Sequence, residues 1–139
     1  MFGVKKSKFR VWLVLTLLWL GLIFLHSSMP ADASNAESGG LLAVVQTVLP
    51  WMTHAMLRKA AHFVEFFVLG ICLTGTFRHA GRFILLKPLA FGLLTALCDE
   101  TLQLFVRGRS GRISDIWLDL FGVVCGALIT WLIFKLRKH

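Results

Sequence analysis

Long apolar stretches constrain this chain more than any other feature of its sequence. Residues 11–31 contain no charged side chain, and three later stretches carry only a few charges each. A helix that crosses a bilayer needs about 20 mostly apolar residues, whereas a strand in a globular protein has about 5 or 6. The stretches do not alternate between apolar and polar residues, as a half-buried strand would. The sequence therefore predicts an all-α, polytopic membrane protein.

Four transmembrane helices account for these stretches and leave no room for a soluble domain. Composition agrees, because 57% of the 139 residues are hydrophobic and only 16% are charged, whereas a soluble domain has about 25% charged residues. We therefore expect residues 1–139 to form one transmembrane domain. Its predicted spans lie at about residues 11–28, 56–77, 83–106 and 115–134.

Two segments have alternative interpretations. The first apolar stretch follows a basic segment and precedes Ala31-Asp32-Ala33, so it also fits a signal peptide with a cleavage site. Residues 41–51 are apolar, but they are few and include Pro50. We predict an interfacial or re-entrant helix there, before the second span, and a fifth crossing is the alternative.

Pairs of small residues four positions apart occur in three of the predicted spans. Such spacing lets two helix backbones approach closely within lipid. We therefore expect these positions to mark contacts between helices. The pairs are Gly70 and Thr74, Gly92 and Ala96, and Gly122 and Gly126.

The distribution of Lys and Arg predicts which side of the membrane each loop faces. Basic residues in short loops accumulate on the cytoplasmic side. With four spans, the two ends and the loop between the second and third spans hold ten Lys and Arg, and the opposite side holds five. We therefore predict that the N- and C-termini are cytoplasmic. The net charge of +8 is then an orientation signal, and we expect no nucleic-acid partner.

Five of the seven acidic residues lie in or against the predicted spans. A charge at mid-bilayer costs at least about 2.5 kcal/mol, so such residues normally pair, face the bundle interior or become neutral. Helical spacing places them on three polar faces, which we expect to meet in one outward-opening site. The faces consist of Arg58, His62 and Glu65, of Glu100, Gln103 and Arg107, and of Asp115, Asp119 and Gly122.

The candidate ligand-binding residues combine these faces with the loop that precedes the last span. Their chemistry leaves three roles open: arginines that grip a phosphate, a histidine and carboxylate that move protons, and charge pairs that only fix helix register. We expect Ser114 to cap the last span and Asp115 to favour its dipole. The full set is Arg58, Lys59, His62, Glu65, Asp99, Glu100, Gln103, Arg107, Arg109, Ser114, Asp115 and Asp119.

A metal site is the weakest interpretation of this set. His62 and Glu65 form a single His-x-x-Glu motif without a second copy, and many nearby bases compete for the carboxylates. We therefore expect no metal and no other cofactor, and we assign no catalytic residue. The remaining histidines, His26 and His54 among them, lie near predicted ends and loops, where we expect solvated or interfacial side chains.

At these residues the chain resembles the VanZ-like family of small bacterial membrane proteins, over nearly its whole length. One departure is Phe66-Phe67, where many relatives have an aromatic residue with a hydroxyl, so a tyrosine role is absent. The matching segments are Phe24–Pro30 with its Ser-Ser pair, Arg58–Phe67, Asp99–Phe105 followed by Arg109, and Asp115 and Asp119 ahead of Gly122 and Gly126.

The resemblance implies a multi-pass protein of the bacterial inner membrane whose first span is retained. The family's namesake is associated with low-level resistance to the glycopeptide teicoplanin at the cell surface. We therefore predict a non-enzymatic cell-envelope protein whose outward site binds membrane lipid, a lipid-linked cell-wall intermediate or a lipoglycopeptide. The alternatives are a proton-linked transporter of lipids or small molecules, which would require a homo-oligomer, and an intramembrane lipid-modifying enzyme with His62 as general base.

Overall fold

The computed structural model consists of helices joined by short turns and describes residues 2–79 and 83–137, with side chains from residue 9 onward. No strand occurs in the described part of the chain, which confirms the all-α prediction. The helices are α1 (Phe2–Ser27), α2 (Ala31–Gln46), α3 (His54–Phe77), α4 (Leu86–Gln103) and α5 (Ile113–Leu136).

Among the described residues, three helices are long and apolar enough to cross a membrane: residues Phe9–Ser27 of α1, the whole of α3 and the whole of α5. Many of their large apolar side chains point away from the protein interior, as lipid-facing residues do. Examples are Leu18, Leu25, Val64, Phe121 and Leu132. This arrangement supports a membrane location.

α4 differs from these three helices because it is shorter and more polar. It has 18 residues, which extend about 27 Å at 1.5 Å per residue and approach the thickness of a bilayer core. Lys87, Asp99 and Glu100 are charged, so α4 does not match the apolar character of the other three helices. The predicted span 83–106 is therefore confirmed only as a helix, which is shorter at both ends.

The segment before α3 forms a longer helix than the sequence predicts. α2 begins at Ala31, directly after Pro30, and Asp32 lies in its first turn. Proline has a fixed φ and no amide hydrogen, and an acidic residue in the first turn favours the helix dipole, so both suit a helix start. The helix ends at Gln46, well before Pro50, and turns lead into α3. The apolar residues 41–51 are therefore only partly helical.

The most extensive helix contact joins α3 to α5. A Cβ atom at Gly122 would lie 2.7 Å from the carbonyl oxygen of Phe63, and one at Gly126 would overlap the carbonyl oxygen of Phe67. Gly70 is equally close to the backbone of Val123 on the opposite helix. These positions permit contact between the two backbones, as the spacing of small residues predicts.

The buried apolar core lies along this contact and is completed by α1 and α4. It contains side chains from α1, α3, α4 and α5, and Phe66 is fully buried. Trp19, Leu20 and Leu89 pack against its edge. The core residues are Ile23, Phe66, Leu69, Leu73, Ala96 and Val123.

One end of the bundle gathers the end of α1 and α4 with the start of α3 and α5. The loop between α4 and α5 folds over this end, and the backbone N–H of Ala31 donates to the carbonyl oxygen of Arg107 at 3.1 Å. Gly108 has φ 73°, a left-handed conformation that favours glycine. The turn at Gly108 thus brings the loop arginines back toward α1 and α3.

Candidate functional site

Three polar side chains from three helices meet at this end of the bundle. His62 comes from α3, Asp99 from α4 and Asp119 from α5. His62 Nδ1 lies 3.7 Å from Asp99 Oδ2 and 3.7 Å from Asp119 Oδ1. Both aspartates have an exposed fraction of 0%. We call His62, Asp99 and Asp119 the buried triad.

The two aspartates of the triad have very different surroundings. Asp99 accepts a hydrogen bond from Ser27 Oγ at 2.5 Å and another from Gln103 Nε2 at 3.0 Å. Both carboxylate oxygens of Asp119 are buried without a hydrogen-bond partner, and so is His62 Nδ1. Buried polar groups are normally paired, so this local deficit points to a group that the triad is built to hold.

A polar cavity of about 100 Å³ opens beside the triad, and His62 and Gln103 form part of its wall. Four basic residues surround it, which we call the basic rim: Arg58, Lys59, Arg109 and Arg112. Glu100, Ser110 and Asp115 complete its polar lining.

Local contacts determine which charges of the rim remain available. Lys59 Nζ lies 2.7 Å from Asp115 Oδ1, and the backbone N–H of Arg112 donates to Glu100 Oε2 at 2.7 Å. Among the described residues, no carboxylate lies within ion-pair distance of the guanidinium groups of Arg58, Arg109 and Arg112. The rim therefore keeps an excess of positive charge facing the cavity.

Arg109 is held in place by the end of α1. Its Nε donates to the carbonyl oxygen of Met29 at 2.8 Å, and its Nη2 donates to the carbonyl oxygen of His26 at 2.9 Å. Burial, followed by the nearby charge of Arg58, lowers the pKa of Arg109 below its usual value. An arginine remains protonated in proteins all the same, so Arg109 is a fixed positive charge.

A second and larger cavity lies between α2 and the adjoining faces of α1 and α3. Its volume is about 650 Å³, and we call it the apolar groove. Trp19, Leu22, Leu41, Leu57 and Val64 supply much of its lining. The volume is within the range of cavities that enclose small ligands, about 300–1,000 Å³.

The polar cavity and the apolar groove lie side by side. Arg58, His62 and Arg109 line both of them. A charged compartment thus adjoins a hydrophobic one, with two guanidinium groups at the boundary.

Most of the residues singled out in the sequence do come together at this end of the bundle. Arg58, Lys59, Gln103, Arg109 and Asp115 line the polar cavity. His62 and Glu100 also line it, and Asp99 and Asp119 lie behind His62.

Three of the predicted site residues lie elsewhere: Glu65, Arg107 and Ser114. Glu65 faces the apolar groove, where its Oε1 lies 2.6 Å from His26 Nδ1. The side chain of Arg107 is 87% exposed and lies 3.7 Å from Asp32. The regular helix ends at Gln103, so the helical spacing that links Glu100 to Arg107 does not apply to Arg107.

The predicted capping role of Ser114 is wrong. α5 begins at Ile113, and Arg112 occupies the N-cap position without a side-chain hydrogen bond. Ser114 lies in the first turn instead, where its Oγ donates to Asp115 Oδ1 at 3.1 Å. The predicted place of Asp115 in the first turn is confirmed.

The sequence interpretation missed two contacts made by the end of α1. His26, expected to be solvated or interfacial, contacts Glu65, although 43% of its side chain is exposed. Ser27 is buried and bonds to Asp99. The available signal was the polar pair His26-Ser27 directly after an uncharged span, which also belongs to the Ser-Ser segment of the family resemblance.

The triad is also the group best placed to hold a metal ion. One ligand atom each from His62, Asp99 and Asp119 lies within 4.8 Å of the other two. Sequence spacing instead pairs His62 with Glu65. In the structure Glu65 contacts His26 and Glu100 contacts the Arg112 backbone, so neither of them belongs to the triad.

Comparison with known proteins agrees with the motifs. The family model described as VanZ/LLP1 matches residues 12–135, a range that includes the triad, the basic rim and the apolar groove. No curated protein and no solved structure gives a significant match. The matched range covers most of the 139 residues. The chain therefore belongs to the VanZ/LLP1 family.

Proposed function

We propose that the protein binds an anionic amphiphile of the bacterial envelope, such as a lipid-linked cell-wall intermediate or the lipid part of a lipoglycopeptide. The observation that carries this proposal is that the polar cavity adjoins the apolar groove and shares Arg58, His62 and Arg109 with it. A phosphate head would occupy the polar cavity, and its hydrocarbon chain would lie in the groove.

The charges of the polar cavity favour a phosphate head group over an uncharged or cationic one. A guanidinium group grips phosphate with two parallel hydrogen bonds, and its planar fork is already organised. Arg109 is held by the carbonyl oxygens of His26 and Met29, so little side-chain freedom would be lost on binding. Ligand binding would therefore depend most strongly on Arg58 and Arg109.

The shape of the apolar groove favours a lipid over a free phosphate. Its lining is mainly apolar, and it continues from the boundary arginines along α2 and α3. Removal of apolar surface from water contributes about 25 cal/mol per Å², so a long chain adds affinity that a free anion lacks. Hydrocarbon chains from the surrounding membrane would reach this groove directly.

The placement in the membrane is part of the proposal. α4 serves as the fourth span, both termini are cytoplasmic, and the site opens to the outer face of the inner membrane. Such a location would bring the site to the lipid-linked precursors and glycopeptides at the cell surface. In that case the protein would contribute to teicoplanin resistance through its bound lipid.

A binding experiment on the purified full chain tests this function. Native mass spectrometry would compare a polyprenyl phosphate with the uncharged polyprenol of the same length. We expect the phosphate lipid to bind at least about tenfold more tightly, a difference of about 1.4 kcal/mol. Arg58→Ala should remove that preference, while Arg107→Ala should retain it because Arg107 points away from both cavities. Equal affinity for the two lipids would refute the proposal.

The same samples separate the alternative functions. Turnover of the bound lipid phosphate, lost in His62→Ala, would instead support an intramembrane lipid-modifying enzyme. A pH-dependent flux in proteoliposomes, lost in Glu100→Gln, would support a proton-linked transporter. Membrane abundance of each variant, measured alongside, shows whether the polar residues serve only to hold the bundle together.

A further inference from the structure

We propose that the buried triad binds one divalent transition-metal ion of the Zn²⁺ or Mn²⁺ class through His62 Nδ1, Asp99 Oδ2 and Asp119 Oδ1. This proposal goes beyond lipid binding and does not depend on it. It rests on the unpaired buried atoms of the triad, on the distances between them and on the contacts behind them.

Two unpaired atoms of the triad, His62 Nδ1 and Asp119 Oδ1, face each other at 3.7 Å. Asp119 is fully buried, and neither of its oxygens has a hydrogen-bond partner. His62 Nδ1 is likewise buried and unpartnered. A buried carboxylate without a donor is strongly unfavourable unless it takes up a proton or a positive charge lies beside it. The nearest basic group is His62 itself, with its Nδ1 3.7 Å from Asp119 Oδ1, and among the described residues no arginine or lysine makes an ion pair with Asp119.

The distances fit a shared metal better than a shared proton. The two separations of 3.7 Å between His62 Nδ1 and the carboxylate oxygens exceed the upper limit of a good hydrogen bond, about 3.2 Å. Two ligands that each lie about 2.0–2.2 Å from one metal ion are separated by about 3.3–3.6 Å at tetrahedral or somewhat wider angles. Small side-chain adjustments would therefore complete the coordination.

The ligand types indicate the class of metal. One imidazole and two carboxylates offer one nitrogen and two oxygens. This set suits Zn²⁺ or Mn²⁺, whereas Ca²⁺ and Mg²⁺ prefer sites made only of oxygen ligands. Two ionised carboxylates balance the two positive charges of the ion. The buried site would thus become electrically neutral, which removes the cost of two unpaired charges inside the bundle.

Groups behind Asp99 would hold it as a ligand. Ser27 Oγ and Gln103 Nε2 donate to its two oxygens, and Gln103 Nε2 also lies 3.4 Å from Ser27 Oγ. Hydrogen bonds of this kind orient ligating carboxylates in metal sites. Asp99 would be the fixed ligand, and Asp119 would be the one that the metal itself orients.

The proposed metal position lies next to the polar cavity, because His62 belongs to both. His62 lines that cavity, whereas the two aspartates lie behind it. Three protein ligands leave one position of a tetrahedral ion open, as in catalytic zinc sites. If the lipid-binding function also holds, this open position would take an oxygen of the phosphate head group.

Metal binding is tested directly on the purified full chain in detergent. The protein would be stripped with a chelator, incubated with Zn²⁺ or Mn²⁺, washed and analysed by elemental mass spectrometry. We expect one metal ion per chain. Asp119→Asn and His62→Gln should each lower the metal content at least tenfold, and Glu65→Gln should leave it unchanged because Glu65 contacts His26 instead. Retention of the metal in both triad variants would overturn the proposal.

A spectroscopic readout keeps the test decisive when a variant does not fold. Co²⁺ added to the stripped wild-type protein should give the visible absorption of a tetrahedral or five-coordinate ion, and Zn²⁺ should displace it. If the wild-type protein shows neither this absorption nor any retained metal, the proposed site is refuted. The lipid experiment gives a separate result, since metal retention without any preference for the phosphate lipid would refute lipid binding alone.

Discussion

α3 and α5 meet in two different ways along one interface. At Gly122 and Gly126 of α5, the helix backbone touches the carbonyl oxygens of Phe63 and Phe67. One turn earlier, His62 and Asp119 face each other across a separation of 3.7 Å without a hydrogen bond. The glycine contact lets the two helices lie close together, whereas His62 and Asp119 leave a space between their side chains. The glycine contact thus serves helix packing, whereas the triad forms the polar site at the end of the bundle.

The largest expected effect comes from breaking the glycine contact. Gly126→Leu would place a side chain against the carbonyl oxygen of Phe67, which belongs to the backbone of α3 and has no room to move. We expect the free energy of unfolding to fall by at least about 3 kcal/mol, because the two helices must separate to make room. This value is at the upper end of the usual cost of overpacking. Membrane abundance and thermal unfolding in detergent measure this loss.

Gly21→Leu is the matched control for this substitution. A Cβ at Gly21 meets nothing within 4 Å, and Gly21 also lies within a helix that is long and apolar enough to cross a membrane. We expect wild-type abundance and stability for it. Equal behaviour of Gly126→Leu and Gly21→Leu would show that α3 and α5 do not pack through their backbones.

A smaller loss of stability is expected from substitution of Asp99, the triad residue that already accepts hydrogen bonds. Asp99→Ala would leave Ser27 Oγ and Gln103 Nε2 without their acceptor in a buried site. An unsatisfied buried donor costs about 1–3 kcal/mol, and the two donors lie near enough to each other to offset part of that cost. Unfolding of the metal-free protein in a chelator should show a decrease within this range. A stability above that of wild type would contradict the assigned role of Ser27 and Gln103.

The sequence predicts the glycine contact better than the triad, for a physical reason. Small residues at Gly122 and Gly126 recur at helical spacing, so a single segment reveals the contact face. The triad takes one residue from each of three helices, and the order of those residues along the chain contains no metal-ligand spacing. The sequence therefore gives the members of the polar site, while only packing reveals that His62 meets Asp99 and Asp119 rather than Glu65 and Glu100.

Helix ends explain the other differences from the sequence prediction. Arg107 follows the end of α4 at Gln103, so a helical register extended to it gives the wrong direction for its side chain. α2 extends back to Ala31 through Ser34, Asn35 and Ser38, which apolar content alone does not mark as helical. Polar residues that lie outside the apolar stretches were thus the hardest to place.

The smallest expected effect separates the two aspartates of the triad. Asp119→Asn replaces a carboxylate that accepts no hydrogen bond with a neutral side chain of the same shape. In a chelator, we expect the free energy of unfolding to stay within about 0.5 kcal/mol of wild type or to rise, because no hydrogen bond to Asp119 is lost. With Zn²⁺ present, only the wild type should gain stability, by about 2.7 kcal/mol when the free ion is at 100 times its Kd. Thermal unfolding of both proteins with and without Zn²⁺ measures the difference. A metal-free loss as large as that of Asp99→Ala would show that Asp119 has a hydrogen-bonding role in the bundle itself, and the contrast between the two carboxylates would then be wrong.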